Sequence, residues 1–385
     1  MNTFESRYES VDKLQRILVE DVFHYAQDSK KAAGRALGTI VEVITFYLLK
    51  TWGLSDSISI ERGLQEYGNP EITHNVEYSL HPVLNQDSVT IEKKGKSITA
   101  NSILSSLAAS HLRVEGMDRK SNVLLTRDLI LRNACTVGSV GENYLLASLN
   151  QFSGDKAEVK LYLQHQKPYA IFECKRVGVE EGIKKGPQTI EKAKQGAYVA
   201  NAVSSLQKIR TESGELQGII FNSNNIPYSK PYDELLEEVI SSSDPELLRK
   251  FILTVGVVSN HGNWFTSENQ NKELKVLAQS YDWLLFLTDR GLSQFIENLI
   301  LHPEPRFEPV KRAFLASYPK GKGKNQFTKV QMNWEANVVL DEYFQNNLPV
   351  IESWFNVISP DNKSISTLKE ELKELKSKDW KNILK

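Results

Sequence analysis

The chain has 385 residues, 40% hydrophobic and 25% charged, with a formal net charge of −1, which excludes a disordered or fibrous protein and leaves room for two or three structural units with a substantial core. The near-neutral balance excludes global basicity as a route to nucleic acid, so a DNA partner would have to meet local basic surfaces offset by acids elsewhere. The only cysteines, Cys135 and Cys174, sit in apolar surroundings and read as core thiols of a reducing cytoplasm, not as a disulfide or a structural zinc site.

The start, Met1 to Arg7, lacks the apolar run of a signal peptide. No stretch reads as long and apolar enough to span a bilayer, since Ile40 to Leu49 is short and contains Glu42; a soluble protein with no membrane partner is expected. Residues 1 to about 53 read as helices, with Ala32 through Trp52 a buried one that Gly53 stops. Arg35 and Glu42 fall on one face of it, as an internal ion pair or with Glu42 as a catalytic-helix glutamate. Short strands follow around 58–60 and 72–80. His74, Glu77 and His81 could ligate a metal, but a strand puts 74 and 77 on opposite faces, and two histidines without a third ligand are a weak signal, so they read as structural or solvent-facing. Residues 98 to 135 look helical. Thr136 to Gly141 is a glycine-containing entry to a further helix over 141–149, and it lacks the Gly-Lys-Ser/Thr of a phosphate loop. Glu142 heads that helix, as a dipole-favoured acid or as a ligand to a second metal.

The chemistry concentrates in the next stretch. Residues 154–163 and 169–176 read as two strands joined by Gln164-His165-Gln166-Lys167-Pro168, apolar or alternating and rich in β-branched and aromatic residues. A hairpin turning about His165 and Gln166 places Glu158 across from Glu173 or its neighbour, with Lys175 on the same face as Glu173 and Cys174 on the other. Asp155 lies about three residues, roughly 10 Å, further along, and stays as the second candidate. Two acids a few ångströms apart repel unless a cation sits between them. Hard oxygen ligands suit Mg²⁺, which takes further oxygens from water and phosphate. The lysine can hold or deprotonate an attacking water. Taken alone, an E-x-K is also the pattern of a solvated cross-strand charge pair.

Beyond it, Arg176 to Gln188 is a glycine-rich polar loop in which Lys184 and Lys185 are candidate phosphate contacts. A helix from Thr189 through Leu206 carries Lys194 and Gln195 towards the site. Leu216 to Phe221, Phe251 to Ser259 and Trp283 to Thr288 read as buried strands, with helices near 230–250, 272–281 and 291–301, an α/β alternation. Asn260 to Phe265 is a turn-rich loop. Pro303 to Arg306 marks a break, after which Lys320, Lys322 and Lys324 on a glycine frame could follow a phosphate backbone. Ile365, Leu368, Leu372 and Leu375 line one side of a C-terminal helix too short for an independent coiled coil, and docked on its own domain or on a second subunit.

With an acid, a gap, Glu173-Cys174-Lys175 and a helix candidate on each side, the region from about Val137 to Leu206 resembles the PD-(D/E)xK nuclease superfamily and, within it, the type II restriction endonucleases. It departs from the pattern in having no Pro-Asp. The resemblance implies an α/β, restriction-endonuclease-like core, a mixed sheet flanked by helices, over 111–302, with a mainly helical N-terminal region at 1–110 and a C-terminal region at 303–385 holding the basic loop and terminal helix. It further implies a Mg²⁺-dependent, sequence-specific double-stranded DNA endonuclease, with Glu158 or Asp155 and Glu173 on the metal and Lys175 serving the nucleophile. It implies a homodimer on twofold sites and a cognate DNA methyltransferase. A repair or modification-dependent nuclease of the same fold and a non-catalytic DNA-binding protein are the alternatives.

Overall fold

Six strands form the central sheet, and their order across it is their order along the chain. They are β1 (Ile58–Ile60), β2 (Tyr78–Leu80), β3 (Ala170–Val177), β4 (Leu253–Asn260), β5 (Trp283–Leu287) and β6 (Phe355–Ser359). β1, β2 and β3 pair antiparallel, β3, β4 and β5 parallel, and β6 closes the far edge antiparallel to β5. The structure, a computed structural model, describes residues 11–65, 69, 71, 73–107, 112, 116–177, 198–221, 224–260, 272–318 and 325–385. The chain is a mixed α/β protein with helices against the sheet. β5 is apolar throughout because it is buried throughout, as central strands covered on both sides must be.

Helix α1 (Ser29–Leu49) starts at Asp28, whose carboxylate accepts the Lys31 backbone N–H at 3.0 Å. It lies against the Cys174 side of β3: the Cys174 thiol donates to Thr45 Oγ1 at 3.6 Å, and the Tyr78 hydroxyl donates to the Glu42 carbonyl at 2.7 Å. Contrary to expectation, α1 with its continuation to Leu54 is long and apolar enough to cross a membrane by those two measures, although it is mostly buried within the protein. Gly53 ends the run at φ 82°, a backbone that favours glycine.

Between β2 and β3 the chain leaves the central sheet and builds a second lobe from residues 81–169. Its five-stranded sheet runs in the order Val83–Glu92, Lys156–His165, Asn143–Ser153, Cys135–Val140, Asp118–Arg119, antiparallel throughout. A separate apolar core, including Ile103, Leu125, Val137, Leu145, Val159 and Leu161, fills it. Two expectations fail here. Of the helical region 98–135, only Ala100–Ser106 is helical among the described residues. The helix at 141–149 is instead a strand, because Leu145 and Ala147 alternate inward against Leu163 and Leu161.

The postulated hairpin does not form either. Lys156–His165 is paired along its length on both sides, to Asn143–Ser153 and to Val83–Glu92, so no edge is left for β3. The chain turns at 166–169, where the Tyr169 N–H bonds the Leu80 carbonyl at 2.8 Å and enters the other sheet. The central sheet therefore takes strands from all three expected regions, and boundaries at 110 and 302 cut across it. Leu216–Phe221 is a strand as expected, but of a small antiparallel sheet with Gln207–Arg210 and Pro227–Pro231. Helix Ile365–Ser377 docks on its own chain, burying Ile365, Leu368, Leu372 and Leu375 in the main core.

Candidate functional site

β3 enters the sheet through Ala170, Ile171 and Phe172, all buried, and then presents Glu173, Cys174 and Lys175. Alternation turns Cys174 to α1 and sends Glu173 and Lys175 to the opposite face. Glu173 lies in register with Gly256 of β4, and that glycine leaves room for the Tyr281 ring, which a Cβ at position 256 would meet at 2.8 Å. The Glu173 side chain is only 4% exposed, and Lys175 Nζ stands 3.3 Å from its Oε2. This approach lies off the hydrogen-bonding direction, so Oε2 has no well-formed hydrogen bond among the described residues.

The second carboxylate comes from Glu77, immediately before β2. Glu77 lies close enough to Glu173 for each carboxyl to act on the other's ionisation, and the Cys174 backbone N–H favours the charged form of Glu77. Burial first, and then the Glu77 carboxylate, push Glu173 up to about 8, with Lys175 pulling against them. Burial would raise Glu77 as well. The Glu173 carboxyl, the Lys175 and Lys329 charges and the Cys174 N–H outweigh it and hold Glu77 below the ordinary carboxylate range. The pair thus shares one proton, carried on Glu173. Burial pulls Lys175 down, but the charges of Glu173 and Glu77 overcome it and hold the ammonium above the usual lysine range.

Two further acids and a second lysine adjoin this pair. Lys329 Nζ lies 3.4 Å from Glu42 Oε2 on α1, 3.1 Å from Glu61 Oε1 just past β1 and 3.7 Å from Glu77 Oε1. Burial, set partly against Lys329, raises the Glu42 carboxyl. The ion-pair partner of Glu42 is therefore Lys329, where the sequence offered Arg35.

Of the expected site residues, Glu173 and Lys175 come together. Glu158 and Asp155 do not join them. Glu158 pairs across to Gln151 and Thr90 in the five-stranded sheet, and Asp155 sits in the turn that joins Asn143–Ser153 to Lys156–His165. Glu142 lies in a turn instead of at a helix head, is 70% exposed and faces His165 at 3.3 Å. Lys184, Lys185, Lys194 and Gln195, the loop after Asn260, and Lys320, Lys322 and Lys324 lie outside the described residues. His81 is structural, as read: it is fully buried, with Nδ1 2.8 Å from the His165 carbonyl and Nε2 2.7 Å from Ser79 Oγ. The residues that sequence reasoning missed are Glu77, which it noticed and set aside, Glu61, and Lys329, which it did not notice.

Among the described residues no group of three histidine, cysteine or acidic side chains is gathered tightly enough to hold a metal by itself. Two carboxylates suffice for Mg²⁺, which keeps waters and takes phosphate oxygens for its remaining positions. Glu77 and Glu173 fit that role: they share a proton that a cation would displace, and the buried Glu173 Oε2 has no well-formed hydrogen bond, only the Lys175 ammonium at 3.3 Å. No protein-family model, curated protein or solved structure matches this chain.

Proposed function

We propose that the chain is a Mg²⁺-dependent endonuclease of double-stranded DNA, of the type II restriction kind, with the central sheet serving as a restriction-endonuclease-like core. One observation carries the reading. An acid at the head of one strand, Glu77, meets Glu-x-Lys on the next, Glu173 and Lys175, in the middle of a mixed sheet, with Glu42 of the preceding helix alongside. The motif thus keeps its strand order, while the residues between its halves, 81–169, fold as a separate lobe.

Glu77 and Glu173 would hold the metal, which when bound polarises a phosphoryl oxygen and stabilises the leaving group. Glu173 must first give up its proton, since only the ionised pair offers two anionic oxygens. Lys175, kept protonated by the carboxylates, donates hydrogen bonds: it orients the attacking water and faces the charge that develops on the phosphate, while the proton that the water sheds passes to solvent and the leaving oxygen takes one from solvent in turn. The buried setting strengthens both effects by keeping bulk water from Glu173. A homodimer on twofold-symmetric DNA, accompanied by a cognate methyltransferase, belongs to the same proposal.

The test is incubation of purified protein with mixed plasmid DNA in Mg²⁺ or EDTA. Discrete Mg²⁺-dependent bands are expected, whereas smearing would indicate a non-specific nuclease. Glu77→Gln, Glu173→Gln and Lys175→Ala should each lose at least about 10²-fold in cleavage rate while gel-shift binding persists. Glu158→Ala and Asp155→Ala should cut normally. Retained DNA binding with no cutting of any substrate by the wild type would replace the enzyme with a binding protein.

A further inference from the structure

The Lys329 ammonium has no part in the hydrolytic steps above, yet the site is built around it. Its side chain is 8% exposed, and carboxylates from α1, from the segment after β1 and from the residue before β2 surround it at 3.1 to 3.7 Å. Such spacing suits an ammonium and is well beyond the 2.0–2.1 Å of Mg²⁺ coordination. The lysine is also held from behind. It sits in a tight turn where the Thr328 N–H bonds the Gln331 carbonyl at 2.8 Å, and Asn133 of the second lobe donates its side-chain amide to the Lys329 carbonyl at 2.9 Å and its backbone N–H to the Val330 carbonyl at 2.9 Å.

We propose that Lys329 is a built-in cation standing where a second divalent ion would otherwise bind, so that the site takes one divalent ion, on Glu77 and Glu173, and not two. The proposal rests on the reading of those two residues as ligands. Charge balance supports it: with Glu42, Glu61, Glu77 and Glu173 ionised against Lys175 and Lys329, two negative charges remain, and a single divalent ion cancels them. Geometry supports it as well. Without the ammonium, Glu42, Glu61 and Glu77 would face one another unneutralised, and three like charges gathered about one point call for protons or for a metal that draws them in closer than they now stand. Glu77 borders both cations, so Lys329 also fixes the carboxylate that the catalytic ion needs. Lys329 is thus a positioning residue, and the exchangeable ion goes to Glu77 and Glu173, whose Oε2 has no well-formed hydrogen bond.

The experiment counts ions. Full-length protein is titrated with Mn²⁺, free ion being read by electron paramagnetic resonance, for the wild type, Lys329→Gln, the Lys329→Gln/Glu42→Gln double variant and Glu77→Gln. The wild type should bind one ion per chain, Lys329→Gln two, the double variant one again, and Glu77→Gln none. Two ions on the wild type, or a single ion of unchanged affinity on folded Lys329→Gln, would overturn the proposal and leave the nuclease reading standing. No ion on the wild type with one on Lys329→Gln would uphold Lys329 as the resident cation and sink the nuclease reading. No ion on either would sink both. Should Lys329→Gln fail to fold without metal, millimolar Mn²⁺ should restore its circular dichroism and melting transition; failure to restore them also overturns the proposal.

Discussion

Glu173 is the residue through which pH enters the chemistry. Its folded-state value, pushed to about 8 from about 4.5 by burial and the neighbouring Glu77, means that the native protein holds this proton more tightly than the unfolded chain does. The metal-free fold therefore loses stability from Glu173 as pH rises from about 4.5 to about 8, and the slope vanishes above. Glu77, held low, works in the opposite sense, and its contribution is lost as pH falls through its depressed value. A divalent ion needs both carboxylates ionised, so binding at pH 7 should release close to one proton, and affinity should climb up to about tenfold per pH unit before flattening near 8. Titration calorimetry in buffers of different ionisation enthalpy measures that proton, and Glu173→Gln should release none. Glu173 and Lys175 were legible because E-x-K is compact and an apolar run leads into it. Glu77 was not, since residues 81–169 separate it from its partner and strand parity set it aside with His74. Lys329, still further along the chain, had no local signal at all.

Individual elements bear on the site through close backbone contacts as much as through charge. On the Glu173 face of the sheet, Gly256 of β4 stands opposite Glu173, and an added Cβ would meet Tyr281 at 2.8 Å and Leu284 at 3.0 Å. Gly256→Ala should thus cost about 1–3 kcal/mol through overpacking. Because the displaced Tyr281 ring flanks the carboxylate pair, metal affinity should fall together with the denaturation midpoint. A variant that loses stability but binds Mn²⁺ as tightly as wild type would show that Tyr281 plays no part in shaping the pocket. Strands β4 and β5 could be read from sequence because central parallel strands are apolar throughout. Asn143–Ser153 could not: Tyr144-Leu145-Leu146-Ala147-Ser148-Leu149 satisfies helical and alternating patterns equally, and only pairing with Lys156–His165 decides between them.

At the scale of the whole molecule, one segment serves both cores. Gln331–Asn333 pairs with Ile130–Arg132 of the second lobe, and the Trp334 N–H bonds the Leu129 carbonyl at 2.8 Å. In the same segment Phe327 and Met332, both fully buried, belong to the main core. No composition shift in the sequence marks such a shared segment, so boundaries placed at 110 and 302 do not follow it. A hairpin that completes one core while filling another must couple them, so heating should give one cooperative transition, with no earlier melting of the second lobe. Met332→Ala should lower that single transition by about 2–5 kcal/mol of stability, as a large-to-small change in a closed core does. Hydrogen exchange gives the sharper check. The variant's lost protection should appear at Ile130–Arg132 in the lobe and at β3 in the central sheet alike. Loss confined to either one, or two separate heat-absorption peaks in the wild type, would mean that the lobes fold independently and that Lys329 is anchored to the central sheet by its charges alone.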